Sequence, residues 1–174
     1  MLYPIGIQSF EKIRTGGFVY VDKTALIYSL AASGQYYFLS RPRRFGKSLL
    51  VSTMEAYFSG RKELFGGLAM ESLEKEWTEY PVLHLDLTGA AYLSVDELYS
   101  KLNSFLSKYE ERYEIRTGEH VASVRFENII DTAYRKTGQK VVILIDEYEK
   151  PIIDNIDNPE LMEQFRRELQ GFYS

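Results

Sequence analysis

The chain has 174 residues, 45% of them hydrophobic and 26% charged, with a formal net charge of −4. That is enough for one domain with a sizeable core, and it excludes a globally basic field that would recruit nucleic acid. It contains no cysteine, so disulfides and thiol chemistry are excluded and a cytoplasmic setting is expected; there is also no apolar run long enough to span a bilayer.

Residues 3–21 read as loop, broken by Pro4, Gly6, Gly16 and Gly17, with a helical turn near Ser9–Arg14 that turns Phe10 and Ile13 inward. Phe18–Val21 reads as a short strand or an extended arm. Asp22 is an expected N-cap for a helix that buries Leu26, Ile27 and Leu30 and stops at Gly34. Tyr36-Tyr37-Phe38-Leu39 then reads as a buried strand.

The next stretch is the chemically loaded one: Ser40-Arg41-Pro42-Arg43-Arg44-Phe45-Gly46-Lys47-Ser48. Behind it Leu50, Met54, Tyr57 and Phe58 recur at helical spacing. Strand, short loop with Gly-Lys-Ser, then helix is the context of a phosphate-binding P-loop. A helix N-terminus offers unpaired N–H groups and the positive end of a dipole. Gly46 permits close backbone approach, Lys47 reaches the β- and γ-phosphates, and the Ser48 hydroxyl can ligate Mg²⁺. The expected phosphate cradle is Arg41, Pro42, Arg43, Arg44, Phe45, Gly46, Lys47, Ser48 and Leu49. Arg41 stands where the usual pattern begins with glycine. Taken without its flanks, Gly-Lys-Ser is also compatible with a basic turn that caps a helix.

Residues 60–80 are mixed, with Leu64, Phe65, Leu68, Met70, Leu73 and Trp77 as apolar contacts. Pro81 opens a strand, Val82–Leu87, apolar as if covered on both faces. Ser94-Val95-Asp96-Glu97 is a capping box that starts a helix with the stripe Leu98, Leu102, Phe105, Leu106, Tyr109 and Tyr113. After Thr117-Gly118 a further helix carries Phe126, Ile129, Ile130 and Ala133 and stops near Gly138. Val141–Ile145 is the most apolar run and reads as a central parallel strand. Asn158 caps a last helix with Pro159 at its first position and Leu161, Phe165 and Leu169 on one face.

Asp146 and Glu147 end the Val141–Ile145 run. A carboxylate at the end of a buried strand can hold Mg²⁺, assigned here to Asp146 with Ser48. A second acid, Glu147, can orient and deprotonate an attacking water. Ligands of parallel α/β sheets bind at the carboxyl ends of the strands, where both motifs are expected. The bland alternative is a strand that ends in solvated acids. Asp86 is open to a magnesium-shell role, a pairing with a loop arginine or a turn role; His84 reads as a core histidine and His120 as solvated. Two distant histidines give little support to zinc.

Alternating strands and helices imply an α/β P-loop NTPase-like three-layer fold, with a mostly parallel sheet flanked by helices. One domain over 1–174 is expected, with an N-terminal arm 1–34 and a nucleotide-binding core 35–174. The expected function is ATP binding with Mg²⁺-dependent hydrolysis, with Lys47 and Glu147 as catalytic residues. Two alternatives stay open: a non-catalytic nucleotide-binding or interaction module, and nucleic-acid binding through Arg41, Arg43, Arg44 and Lys47. Nucleotide is the expected partner, a homo-oligomer is an option, and no membrane is expected.

Three stretches carry a family resemblance: Ile7–Arg14 with Tyr20-Val21-Asp22-Lys23-Thr24, then Tyr37–Leu50, then Ile145-Asp146-Glu147-Tyr148-Glu149-Lys150-Pro151. The chain resembles the AAA-ATPase-like family of bacterial proteins that often carry a PD-(D/E)XK nuclease domain after the ATPase part. That family itself has arginine where other P-loops have glycine, which accounts for Arg41. The resemblance implies Lys47 on phosphates, Ser48 and Asp146 on Mg²⁺, and Glu147 on water. It also implies that Asp22-Lys23-Thr24 lies near the nucleotide. The family's third motif usually ends Asp-Lys-Pro; here Glu149 keeps the charge. P-loop ATPases of this class usually place a further strand with a polar sensor residue between the P-loop strand and the Asp-Glu strand, and an arginine finger comes later still, so the resemblance implies a fold incomplete at its C-terminal side, the first part of a longer protein or a truncated reading frame. Nuclease activity is then not expected and hydrolysis is expected to be weak. Arg166 and Arg167 are candidates to act across a subunit contact.

Overall fold

A computed structural model describes every residue except Met1, Arg41, Arg43, Arg44, Ala90 and Ser174. The chain forms two compact units, residues 1–82 and 83–174.

The first unit is helical. It holds α1 (Phe10–Thr15), α2 (Thr24–Ser33), α3 (Lys47–Phe58), a 3₁₀ turn (Lys62–Phe65) and α4 (Ala69–Leu73). Its core is Phe10, Ile27, Ala56, Leu64, Phe65 and Met70. Ser9 caps α1 through the Lys12 N–H, and the Phe10 N–H donates to Ser52 Oγ at 2.9 Å, which seats α1 on α3. Phe10 and Ile13 are buried as their spacing predicts, whereas Leu26, expected inside, is 69% exposed. Thr24 takes the inward place on α2 instead, because its hydroxyl has a buried partner, the Met70 N–H at 3.0 Å.

The expected strand at 36–39 is not formed. The segment belongs to no strand among the described residues, and all four side chains are exposed, Tyr36 at 94%. A strand is a pairing of two backbones, and an apolar run only supplies one of them. Here a local contact holds the run: the Tyr37 hydroxyl donates to the Leu30 carbonyl at 2.6 Å and lies 3.2 Å from Ser33 Oγ, tying it back to the end of α2. Phe18 makes a single parallel bridge with Leu2, so the arm reading holds for that stretch.

The second unit holds β1 (Val82–Asp86, beginning at the boundary), α5 (Val95–Arg112), α6 (Ala122–Thr137), β2 (Val142–Asp146), α7 (Lys150–Ile153) and α8 (Pro159–Tyr173). β1 and β2 form a two-stranded parallel sheet, continued by the Leu87 N–H donating to the Asp146 carbonyl at 3.1 Å. The α/β class therefore holds, with a sheet of two strands among the described residues. The Ser94–Glu97 capping box is present at the head of α5. Leu98, Leu102, Phe105, Leu106 and Tyr109 form the buried stripe of α5, which packs on α6 and α8. Asn158 Oδ1 accepts the Leu161 N–H at the start of α8, and Phe172 stacks on Phe126 with centroids 4.9 Å apart. Arg125 joins α6 to α5 through both carboxylate oxygens of Glu110, at 2.8 and 2.7 Å. That paired guanidinium holds the Glu110 carboxyl below its usual range against the opposing effect of burial. Gly138 closes α6 at φ 68°, the left-handed conformation of a helix stop.

Candidate nucleotide site

The Gly46-Lys47-Ser48 stretch lies in the first unit. Gly46 adopts φ 76°, ψ 25°, and α3 begins at the next residue, Lys47. An L-residue with a side chain is strained at that φ, which is why glycine stands there. A Cβ on Gly46 meets nothing within 4 Å among the described residues. The N-cap position is Gly46 itself, which has no side chain to cap α3, and the first helical bond runs from the Leu50 N–H to the Gly46 carbonyl at 2.9 Å. The first turn of α3 thus points its donors and its dipole at the loop, an arrangement that suits a phosphate. Ser48 and Leu49 are half-buried within this turn, while Pro42 and Phe45 are exposed in the loop before it. Arg41, Arg43 and Arg44 lie outside the described residues.

Asp146 and Glu147 lie in the second unit. Asp146 is the last residue of β2 and is 6% exposed. Glu147 follows with φ 54°, a left-handed conformation that costs a side-chain-bearing residue on the order of 1–3 kcal/mol. The turn is held from behind by groups that sequence pattern alone did not single out. The Asn155 amide donates to the Tyr92 carbonyl at 2.8 Å and to the Pro151 carbonyl at 2.9 Å. The fully buried Tyr92 donates its hydroxyl to the Leu87 carbonyl at 2.9 Å, at the end of β1. Lys150 pairs with Asp154 and lies over the Tyr92 ring, 5.8 Å from its centroid. Burial, followed by the nearby carboxylates Asp86, Asp154 and Glu97, pushes the Tyr92 phenol up to about 12, so it remains a donor. Neither Tyr92 nor Asn155 sits in a periodic run, so no pattern could have found them. The one sequence signal was Pro151, which fixes the start of α7.

Other candidates resolve differently. Asp86 accepts the Thr88 N–H at 2.7 Å and the Thr88 hydroxyl at 2.9 Å, which is a turn role. Arg166 and Arg167 both pair with Glu163 on an exposed face of α8. Asp22 accepts the N–H and hydroxyl of Thr24 and, 47 residues away, the Ala69 N–H at 2.7 Å. Burial acts to raise the Asp22 carboxyl, but these bonds and Arg14 outweigh it and hold it below its usual range. Asp22 and Thr24 therefore join the starts of α2 and α4.

The donor types suit magnesium. Mg²⁺ takes one or two protein oxygens and keeps waters or phosphates for the rest. A hydroxyl in the first turn of a helix and a buried strand-end carboxylate are such donors. Among the described residues no group of three or more His, Cys, Asp or Glu could hold a metal unaided.

The structure is that of a mixed α/β chain with a Gly-Lys-Ser helix start and an acidic strand end. The family described as "Predicted AAA-ATPase" matches residues 4–174, and the chain belongs to that family. It is 40% identical over 173 residues to an uncharacterized protein in the vnfD 5′ region of Azotobacter chroococcum mcd 1. That match covers 98% of this chain and 33% of the relative, so the chain spans about a third of that curated protein's length. No solved structure matches. No helix among the described residues is long and apolar enough to cross a membrane.

Proposed function

We propose that the chain binds ATP with magnesium at the head of α3 and hydrolyses it slowly, as one nucleotide-binding domain with a P-loop NTPase-like three-layer fold. The observation that carries this is the start of α3: Gly46 in the left-handed region one residue before the helix begins, with nothing among the described residues within 4 Å of a Cβ placed on it. Family membership supports it.

In this reading the first-turn amides of α3 and the Lys47 ammonium hold the β- and γ-phosphates, and the loop from Arg41 to Phe45 encloses them. Ser48 and Asp146 are the protein ligands of Mg²⁺, which when bound supplies charge neutralisation at the phosphates. Glu147 accepts a proton from water as the water oxygen bonds to the γ-phosphorus. The bond from that phosphorus to the ADP oxygen breaks, and ADP leaves with inorganic phosphate. The left-handed conformation of Glu147 favours a positioned catalytic carboxylate, because strain of this kind clusters at functional sites.

Calorimetric titration with Mg-ATP tests the site. Lys47→Ala is expected to weaken binding by about 10- to 100-fold, the worth of a charge-assisted phosphate contact. Unchanged affinity in that variant rejects the assignment. Glu147→Gln is expected to keep binding and lower turnover by about 100-fold or more. A second reading, nucleotide binding without turnover, is favoured by the two-stranded extent of the sheet. Parent-chain hydrolysis that Glu147→Gln abolishes rejects it.

A further inference from the structure

We propose that the first unit carries a second binding site, for an alkylated ammonium cation, in an aromatic cavity at the C-terminal end of α3. The cavity is a half-open cleft of about 340 Å³, within the range of small-molecule sites. It is lined by Tyr28 from α2, Tyr57 and Phe58 from α3, and Tyr80 from the segment that leads to β1. Phe58 meets Tyr57 at 5.0 Å and Tyr80 at 5.9 Å between centroids, the latter edge to face. Ala31 and Ala32 keep the α2 wall short and leave the space open.

The charge in the wall selects the ligand. Glu74 lines the cavity, accepts the Tyr57 hydroxyl at 2.6 Å, and accepts the Lys75 and Glu76 N–H groups at 2.8 Å each. Burial acts to raise its carboxyl, but the Tyr57 hydroxyl and the backbone donors outweigh this, so Glu74 stays ionised. Glu76 adds a second carboxylate to the lining. The one cation there, Lys75, donates to the Ser72 carbonyl at 2.6 Å, which tethers its charge at the end of α4. Aromatic faces carry negative quadrupoles. Rings and carboxylates together attract a weakly hydrated organic cation and repel an anion. The site is separate from the phosphate loop, because Lys47 starts α3 and Phe58 ends it, about 18 Å away along a 12-residue helix. It does not rest on the nucleotide reading.

The chain has a single tryptophan, Trp77, whose ring packs edge to face on Tyr57 at 6.1 Å, so its fluorescence reports on the cavity. The experiment titrates the full chain, without nucleotide, with choline and with 3,3-dimethylbutan-1-ol, its neutral isostere. A trimethyllysine peptide forms a third arm, which distinguishes a free ammonium from one carried on another protein. Saturable binding of choline or the peptide, at least about fivefold tighter than the isostere, is expected. Tyr80→Leu is expected to weaken it by roughly fivefold, and Glu76→Gln, an exposed change that leaves the fold intact, by roughly twofold. No saturation with either cation overturns the proposal. Equal binding of the isostere overturns it as well, as does affinity unchanged in both variants.

Discussion

Tyr36–Leu39 and Val142–Asp146 look alike as sequence: a short apolar run followed at once by the residues that carry the chemistry. In the structure they part. Val142–Asp146 is β2, paired with β1, with Leu144 buried and Asp146 shut almost completely from solvent. Tyr36–Leu39 forms no strand among the described residues and shows all four side chains to water. Composition does not separate them, since both are rich in strand formers. What separates them is the surroundings. Val142–Asp146 follows α6 and lies beside β1, whose covering helices α5, α6 and α8 share one core with it. Tyr36–Leu39 follows α2 and is held to that helix through the Tyr37 hydroxyl. The proposed phosphate loop therefore follows a run that forms no strand among the described residues, while the acidic pair sits at the end of a paired strand.

The sharpest way to break this contrast is to attack the paired member. Leu144→Ala removes a side chain that is 7% exposed in β2 and is expected to cost about 2–4 kcal/mol by the loss of burial and the cavity left behind. Urea unfolding checks it. A cost below about 1 kcal/mol would mean that β2 is no better packed than the Tyr36 run. A smaller effect, about 1–3 kcal/mol, is expected for Asn155→Ala, which strips hydrogen bonds from the buried carbonyls of Tyr92 and Pro151. Its second readout is Mg-ATP turnover, expected to fall more than affinity does, because the Asn155 amide steadies the turn that carries Glu147. Turnover unchanged in a folded variant would leave Asn155 with a purely structural role.

Helices were the legible part of the chain. The α5 stripe, the Ser94–Glu97 box, the Asn158 cap and the Gly138 stop all follow from local chemistry, and each is found where its residues predict. Strands were legible only as candidates, because a strand is completed by a partner that may lie sixty residues away, as β1 does from β2. Gly46 shows why the start of α3 was readable: one residue type fits a left-handed step into a helix. The Asp22 and Thr24 bridge to Ala69 and Met70 was not, since nothing in a run of residues marks a hydrogen bond spanning more than forty positions. The same holds for Tyr92 and Asn155, which are 63 residues apart and meet only in the folded unit.

The smallest expected effect is the most pointed test of the contrast. Tyr36→Ser changes a residue that is 94% exposed and is expected to alter stability by less than about 0.5 kcal/mol, as for other surface positions away from packed features. Hydrogen exchange reads the same difference without a mutation. The amides of 36–39, outside any helix or strand, should exchange much faster than those of Val142–Asp146, which the sheet and the core around it protect. A cost near 2 kcal/mol for Tyr36→Ser, or slow exchange across 36–39 in the free chain, would mean that the run is paired in solution after all. Protection that arises only on adding Mg-ATP is a different result, with its own physics. The nucleotide would then order the run, and part of its binding free energy would go into that ordering. Weak affinity would follow from the unpaired run, with the phosphate contacts themselves intact.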